Sequence, residues 1–296
     1  MVSSSPPLTR GSMKTIDTLV EDINEVIKGS GGWTSVINEH FKEDIGAVTL
    51  SRLGTPKEER KPTLRMSNIG TPCTRKLWYS LNRPETGEEL RPATLLKFMY
   101  GDMLESLILS LAEAAGHKVE GKQTVLDCYG IKGSRDAVID GVTIDVKSAS
   151  TRAMDKFRTN GLRSDDPFGY LRQLTGYVHG AKDDPLVKDK TGGAFLVVDK
   201  QHGHIVLDYY DLSKELGNME EYVNRIKEKT AKDSKLPNRK FKTEAEGKSG
   251  NRKLGINCSY CDFKQSCYPD LRTFIYSRGP VYLTRVVKEP IVPEAK

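Results

Sequence analysis

Apolar and polar positions along the chain fall into three zones. Over residues 15–53 two helical patterns, Thr15 to about Ile27 and Ser35 to about Leu53, flank the glycine-rich break GSGG, and a polar linker, GTPKEERKP, follows. The central zone opens with TPCTRKLWYSL, where Thr71 can cap a helix and Pro72 can take its first position. A long helix is predicted from about Pro92 to Ala115, with Gly116 as its stop, and alternating runs predict strands over about 118–126, 131–139 and 142–148. A helix opened by Asp166-Pro167, strands over GAFLVVDK and HIVLDYYDL, and a helix from Leu212 to about Lys232 complete the zone. From Lys235 the pattern is irregular, basic and cysteine-bearing. Strands flanked by helices at both ends predict an α/β (α+β) fold with a central mixed sheet. The expected division is an N-terminal helical region (13–62), a core (63–234) and a C-terminal segment (235–296), with no internal repeat.

Within the core the stretch GSRDAVIDGVTIDVKSAS carries more charge than packing requires. Asp140-Gly141 between two alternating runs predicts a two-residue hairpin turn, because a type I′ turn needs positive φ at both central residues. That turn pairs Ile139 with Val142 and Ala137 with Ile144, and sets Asp136 opposite Asp145. Lys147, two residues past Asp145, shares its face, while Ile139, Val142, Ile144 and Val146 take the apolar one. Two carboxylates with Cβ atoms roughly 5 Å apart are destabilising unless compensated, and a hard divalent cation such as Mg²⁺ is the natural partner for their oxygens. The plainer reading is the solvated side of an amphipathic hairpin.

The long helix adds a third carboxylate. In ATLLKFMYGDMLESLILSLAEAAG most positions are apolar or small, the mark of a helix buried on most sides. Glu105 sits inside that pattern, with Gly101 and Leu109 on its own face. A glutamate there must reach water, pair with another group or bind a metal.

Of the five cysteines, Cys258, Cys261 and Cys267 form a C-x2-C-x5-C cluster. In an intracellular protein such spacing points to a metal or an iron–sulfur cluster, not to disulfides. Three thiolates are one short of four. Cys128 lies in or beside a predicted strand and reads as a core residue. Cys73 opens the TPCTRKLWY helix, where a helix N-terminus favours a thiolate, and is the expected fourth ligand. Zinc held by four thiolates is the chemical rival to an iron–sulfur cluster.

Composition narrows the frame. A chain of 296 residues can bury a substantial core. No apolar run approaches the roughly 18 residues of a membrane span, and the N-terminus lacks an apolar signal core, so an intracellular, cytoplasmic protein is expected. Residues 1–12 read as a cloning remnant. The formal charge of +6 is mild, but from Lys235 to Lys296 there are 13 Lys and Arg against 6 Asp and Glu. That asymmetry suggests a polyanionic partner, although such runs also serve as ordinary solvated surface.

Taken in order, these residues resemble the RecB-like branch of the PD-(D/E)XK nuclease superfamily, in particular its members with a [4Fe–4S] cluster: the CRISPR-associated RecB-like exonucleases and the nuclease domain of AddB. Cys73 stands at the start of the nuclease region; G-x-x-x-E ends in Glu105; Asp136 follows; Asp145-Val146-Lys147 forms D-x-K; and QLTGY matches Q-x-x-x-Y with Gln173 and Tyr177. The cysteine triplet closes the series, and the likeness covers roughly residues 65–275. Two positions depart from the pattern. Many relatives have histidine in place of Glu105, and Arg135 replaces the proline before Asp136. The two N-terminal helices lie outside this resemblance.

The resemblance implies a restriction-endonuclease-like core and a metal-dependent DNA exonuclease, acting on single-stranded DNA or DNA ends in recombination, repair, or phage or CRISPR DNA processing. Glu105, Asp136, Asp145 and the Val146 carbonyl would hold Mg²⁺ or Mn²⁺. Lys147 would act on the attacking water and the charge that develops on the phosphate. Gln173 and Tyr177 would position the DNA, and Cys73, Cys258, Cys261 and Cys267 would bind a structural [4Fe–4S] cluster. Implied partners are DNA and, because helicase motifs are absent, a helicase, annealing or CRISPR adaptation protein. The rival readings are a non-catalytic DNA-binding module that keeps the cluster, and a structural zinc protein.

Overall fold

The computed structural model describes residues 14–29, 33–54, 61–90 and 92–295. The stretch read as a cloning remnant, and most of the GSGG break and of the linker, lie outside the described residues. In chain order the helices are α1 (Leu19–Ile27), α2 (Ser35–Thr49, continued by a π-helical turn, Leu50–Gly54), α3 (Met66–Ile69), α4 (Thr74–Asn82), α5 (Pro92–Ala114), α6 (Thr151–Arg158), α7 (Tyr170–Gly180), α8 (Ser213–Gly217), α9 (Met219–Thr230), α10 (Ile256–Ser259) and α11 (Lys264–Cys267). The strands are β1 (Val119–Glu120), β2 (Thr124–Cys128), β3 (Ile131–Arg135), β4 (Ala137–Ile139), β5 (Val142–Ala149), β6 (Gly192–Asp199), β7 (Ile205–Asp211), β8 (Glu244–Glu246), β9 (Asn251–Lys253), β10 (Arg272–Tyr276) and β11 (Gly279–Arg285). The fold is mixed α/β, and the chain divides into two compact units: Met1–Glu58, Pro92–Asp165 and Leu174–Gly217 form the first, Glu59–Arg91, Asp166–Gln173 and Asn218–Lys296 the second. Among the described residues no helix is long and apolar enough to cross a membrane.

The first unit is built on a five-stranded sheet of order β1-β4-β5-β6-β7, antiparallel except for β5 and β6. A parallel pair needs a long crossover, and α6 and α7 lie in it. The predicted hairpin register holds: Ile139 pairs with Val142 and Ala137 with Ile144, around a turn in which Asp140 and Gly141 have φ of 52° and 91°. Ala137, Ile139, Val142, Ile144 and Val146 pack with Leu19, Ile23 and Val26 of α1 and with Ile108, Leu109, Leu111 and Ala112 of α5. Of the N-terminal helices, α1 therefore belongs to this core, whereas α2 has no buried residue. His117 ties α1 to the hairpin, its ring nitrogens 2.7 Å from Asp140 Oδ2 and 3.2 Å from Asp22 Oδ2. Elsewhere on the sheet Phe195 meets Phe157 of α6 and Tyr210 edge-on, at ring separations of 5.7 and 5.9 Å.

Three expectations for this unit change. The run 131–139 is two strands, not one: β3 pairs with β2, and after Asp136 the chain resumes as β4 between β1 and β5. The run 118–126 likewise breaks at Gly121–Gln123, where Gly121 and Gln123 have φ of 55° and 52°. A side chain at Gly121 would also sit 2.5 Å from Nη2 of Arg135, which is fully buried and paired with Asp184 at 2.9 Å. Finally, α6 lies in a stretch with no predicted element. Ser150 caps it, accepting from the Ala153 N–H.

In the second unit the helix of TPCTRKLWYSL begins two residues later than expected, with Cys73 at the N-cap and Thr74 first. α7 begins at Tyr170, three residues later than the expected start at Pro167, and the Asp166 carboxylate reaches it by accepting from the N–H groups of Gly169, Tyr170 and Leu171 at 2.8–2.9 Å. The single helix expected from Leu212 is two, broken between Gly217 and Met219. The C-terminal segment is not irregular: β8 to β11 form an antiparallel sheet of order β10-β11-β9-β8.

A carboxylate cleft and a four-cysteine cavity

Asp145 lies in the middle of β5, one residue past its ladder with β4 and opposite Phe195 of the parallel β6, and is 1% exposed. The face it shares with Lys147 is therefore covered, which removes the reading of a solvated hairpin side. The Lys147 ammonium, on the same strand, pairs with the Asp145 carboxylate. Asp136 stands at the bend where the chain passes from β3 to β4, one residue beyond the ladder that would have set it opposite Asp145. Its carboxylate takes a hydrogen bond from the Val146 N–H at 2.7 Å, satisfying a donor on β5 where β4 has ended.

Glu105 comes from α5 and opens into a cleft. The wall on α5 is Asp102, Glu105, Ser106 and Leu109, at the i, i+3, i+4, i+7 spacing of one helical stripe; Asp44, Ala47, Val48 and Arg52 contribute from α2 and its final turn, and Lys122, Gln123 and Asp136 complete the lining. Gln123 donates its side-chain amide to Glu105 Oε1 at 2.6 Å. The other cations of the cleft are paired: Arg52 with Asp102 at 2.6 Å, and Lys122 with Glu113 at 2.8 Å.

The three carboxylates share one electrostatic environment. Burial pushes Glu105 up to about 7, with the charges of Asp145 and Asp102 adding to the rise while the Gln123 hydrogen bond and Lys147 oppose it. Asp136 is raised well above the ordinary carboxylate range by burial and then by Asp145 and Glu105, while Asp145 is raised by burial against the pull of Lys147. One ammonium thus faces one buried and two half-buried acids, a deficit of positive charge that a divalent cation suits. Among the described residues, no three His, Cys, Asp or Glu side chains are grouped closely enough to hold one metal ion. Lys147, Val146 N–H and Gln123 each hold a different carboxylate.

These shifts set a pH dependence. A carboxylate whose pKa is higher folded than unfolded gives the folded state the larger proton uptake, so stability falls as pH rises. The metal-free protein is expected to be most stable near pH 4.5–5 and to lose on the order of 3 kcal/mol through Glu105 as pH passes about 7. Mn²⁺ should raise the melting temperature more at pH 8 than at pH 5. Melting curves with Mn²⁺ or with chelator at both pH values test this, and an equal metal effect at the two would contradict it.

In the second unit Cys73, Cys258, Cys261 and Cys267 line one cavity with Arg75, Lys76, Tyr79 and Tyr268 among their neighbours. The convergence is built by packing around α4. Tyr79 stacks on Phe263 at 5.7 Å and donates its hydroxyl to the Ser266 carbonyl at 3.0 Å. The Trp78 indole donates to Ser234 at 3.1 Å, and Ser266 donates to the Thr86 carbonyl at 3.1 Å. Cys261 and Cys267 pack against this aromatic cluster. Burial and the neighbouring Cys261, Cys73 and Cys267 push the Cys258 thiol up to about 11, and burial raises Cys261 as well. Four thiols around one cavity match in number the donor set of a tetrathiolate metal or cluster site, although no three of them are grouped closely enough to hold a single ion. Cys128 is fully buried on β2. Of the aromatics near the cysteines, Trp78, Tyr79 and Phe263 are core, while Tyr260 is exposed.

Tyr177 is buried on α7 in the first unit and is not part of the cleft lining. Gln173, one turn earlier on the same helix, belongs to the second unit. Gln123, Arg52 and Lys122 escape sequence reasoning altogether; the glycine two residues before Gln123 is the sole local hint of the turn that places it.

No family model matches the chain, and no curated protein matches it. Among solved structures it is similar to one described as the crystal structure of SSO0001, at 17% identity over 80% of this chain and 98% of that one, with a TM-score of 0.42.

Proposed function

We propose that this chain is a divalent-metal-dependent deoxyribonuclease of the RecB-like PD-(D/E)XK type, an exonuclease acting on single-stranded DNA or DNA ends in the cytoplasm. The observation that carries the reading is the electrostatic environment shared by Glu105, Asp136 and Asp145: burial raises all three, the charge of Asp145 raises the other two further, and the single ammonium of Lys147 pairs with Asp145. A structural hairpin gains nothing from drawing three acids out of water around one base.

On this reading Glu105, Asp136, Asp145 and the Val146 carbonyl hold Mg²⁺ or Mn²⁺, which when bound acidifies water and polarises a phosphate. Lys147 exchanges its pairing with Asp145 for the attacking water and the phosphate oxygens, where its charge offsets the negative charge that builds up in the transition state. Asp136 keeps β5 in place through the Val146 N–H, so the peptide that joins Asp145 to Lys147 has a fixed orientation. The DNA-positioning role that the resemblance implies for Gln173 and Tyr177 gains no support from the buried Tyr177 ring; a helicase, annealing or CRISPR adaptation protein supplies the ends. Cys73, Cys258, Cys261 and Cys267 suit a [4Fe–4S] cluster that pins the C-terminal segment to the start of α4.

The test is cleavage by anaerobically purified protein of linear and covalently closed circular DNA, single- and double-stranded, with Mg²⁺ or Mn²⁺. Metal-dependent loss of linear DNA alone is expected. Cleavage of circles would make the enzyme an endonuclease with the same site. No cleavage of any substrate, with DNA still bound, would favour a non-catalytic binding module.

A further inference from the structure

Gln123 is the strained residue of the cleft. Its φ of 52° is left-handed, a conformation that is strained for a residue with a side chain. Gly121, two residues earlier, shows that the turn takes glycine where it must, yet a side chain is kept at 123. That residue makes two contacts. Its N–H donates to the Asp136 carbonyl at 3.2 Å, and its side-chain amide donates to Glu105 Oε1 at 2.6 Å. The first holds the bend between β3 and β4; the second holds a carboxylate that arrives on α5. Glu105 and Asp136 belong to elements with no strand pairing between them, and Gln123 bridges both.

We infer that Gln123 is a positioning residue for the metal site: it sets the Glu105 carboxylate against the Asp136 bend so that both face one cation. This rests on the proposed reading of the carboxylates as a metal site. The chemistry of the side chain fits the role. An amide donor fixes a carboxylate without neutralising it, whereas a lysine or arginine would compete with the cation for the same charge. One Glu105 oxygen is taken by the amide, and the other is left to coordinate.

The experiment is calorimetric titration of Mn²⁺ into the full chain without DNA, beside thermal melts, for the wild type, Gln123→Gly and Gln123→Met. Glycine relieves the backbone, and methionine keeps the length and the backbone strain but loses the donor. Both are expected to weaken Mn²⁺ binding by roughly ten- to a hundredfold, the worth of a hydrogen bond to a charged group. Gln123→Gly should melt at or above the wild-type temperature, a result that a purely structural glutamine would not produce. Wild-type affinity in either folded variant overturns the inference while leaving the metal site standing. A wild-type protein that binds no Mn²⁺ overturns the metal site itself, and the inference with it.

Discussion

Asp145→Asn should lower single-turnover cleavage of linear DNA by about 10³-fold or more, the usual effect of removing a metal-binding or charge-stabilising group from a hydrolytic site. The same variant should be no less stable than the wild type, and at pH 8 without metal more stable by about 1–2 kcal/mol. The reason lies in the covering of β5. Asp145 is 1% exposed, its carboxyl is raised by burial, and it adds to the charge that raises Asp136 and Glu105. Amide replacement removes that repulsion and keeps the shape, and Lys147 retains access to water, with 19% of its side chain exposed. Loss of activity with a gain of stability is the signature of a functional charge held against the preference of the fold. Wild-type cleavage in this variant would remove Asp145 from the site; loss of both activity and stability would make it a structural residue.

Cys261→Ser should abolish the brown colour and the bound iron and sulfide of anaerobically purified protein, and should lower the melting temperature of the second unit by many degrees. A cluster ligand couples binding to folding, since the free energy of ligation is lost with the site. Here the coupling is direct, because Cys261 and Cys267 pack on the Trp78, Tyr79 and Phe263 cluster that joins α4 to the C-terminal segment. Cys128→Ala is the control: Cys128 is fully buried on β2 of the first unit, and its replacement should leave colour and iron content unchanged. A colourless wild type containing one zinc per chain would replace the cluster by a tetrathiolate zinc site. A brown, normally melting Cys261→Ser protein would refute the ligand set.

Much of this was legible in one dimension. Asp140-Gly141 dictated a turn with two positive φ angles, and the turn fixed the pairing of Ala137 with Ile144 and hence the face on which Asp145 and Lys147 lie. The near-continuous apolar run of α5 marked Glu105 as an acid in the wrong surroundings. The break of 131–139 at Asp136 was hidden, because the alternation continues through it while the pairing partner changes from β2 to β5. The C-terminal strands were hidden for the opposite reason. β8 and β9 are three residues each and mostly polar, and they exist through pairing with one another and with β11.

By itself, then, the sequence determined what depends on neighbours within a few residues: turn chemistry, strand alternation, helix periodicity and the spacing of Cys258, Cys261 and Cys267. The tertiary structure decided what depends on approach and covering. It brought Cys73 to the other three thiols across nearly two hundred residues of chain, set Gln123 between Glu105 and Asp136, and buried Asp145 on the face that alternation alone would have left to solvent. The division is physical. Hydrogen-bonded turns and side-chain periods are written locally, whereas desolvation, and with it the raised pKa values of the carboxylates, arises only when distant elements close over a charge.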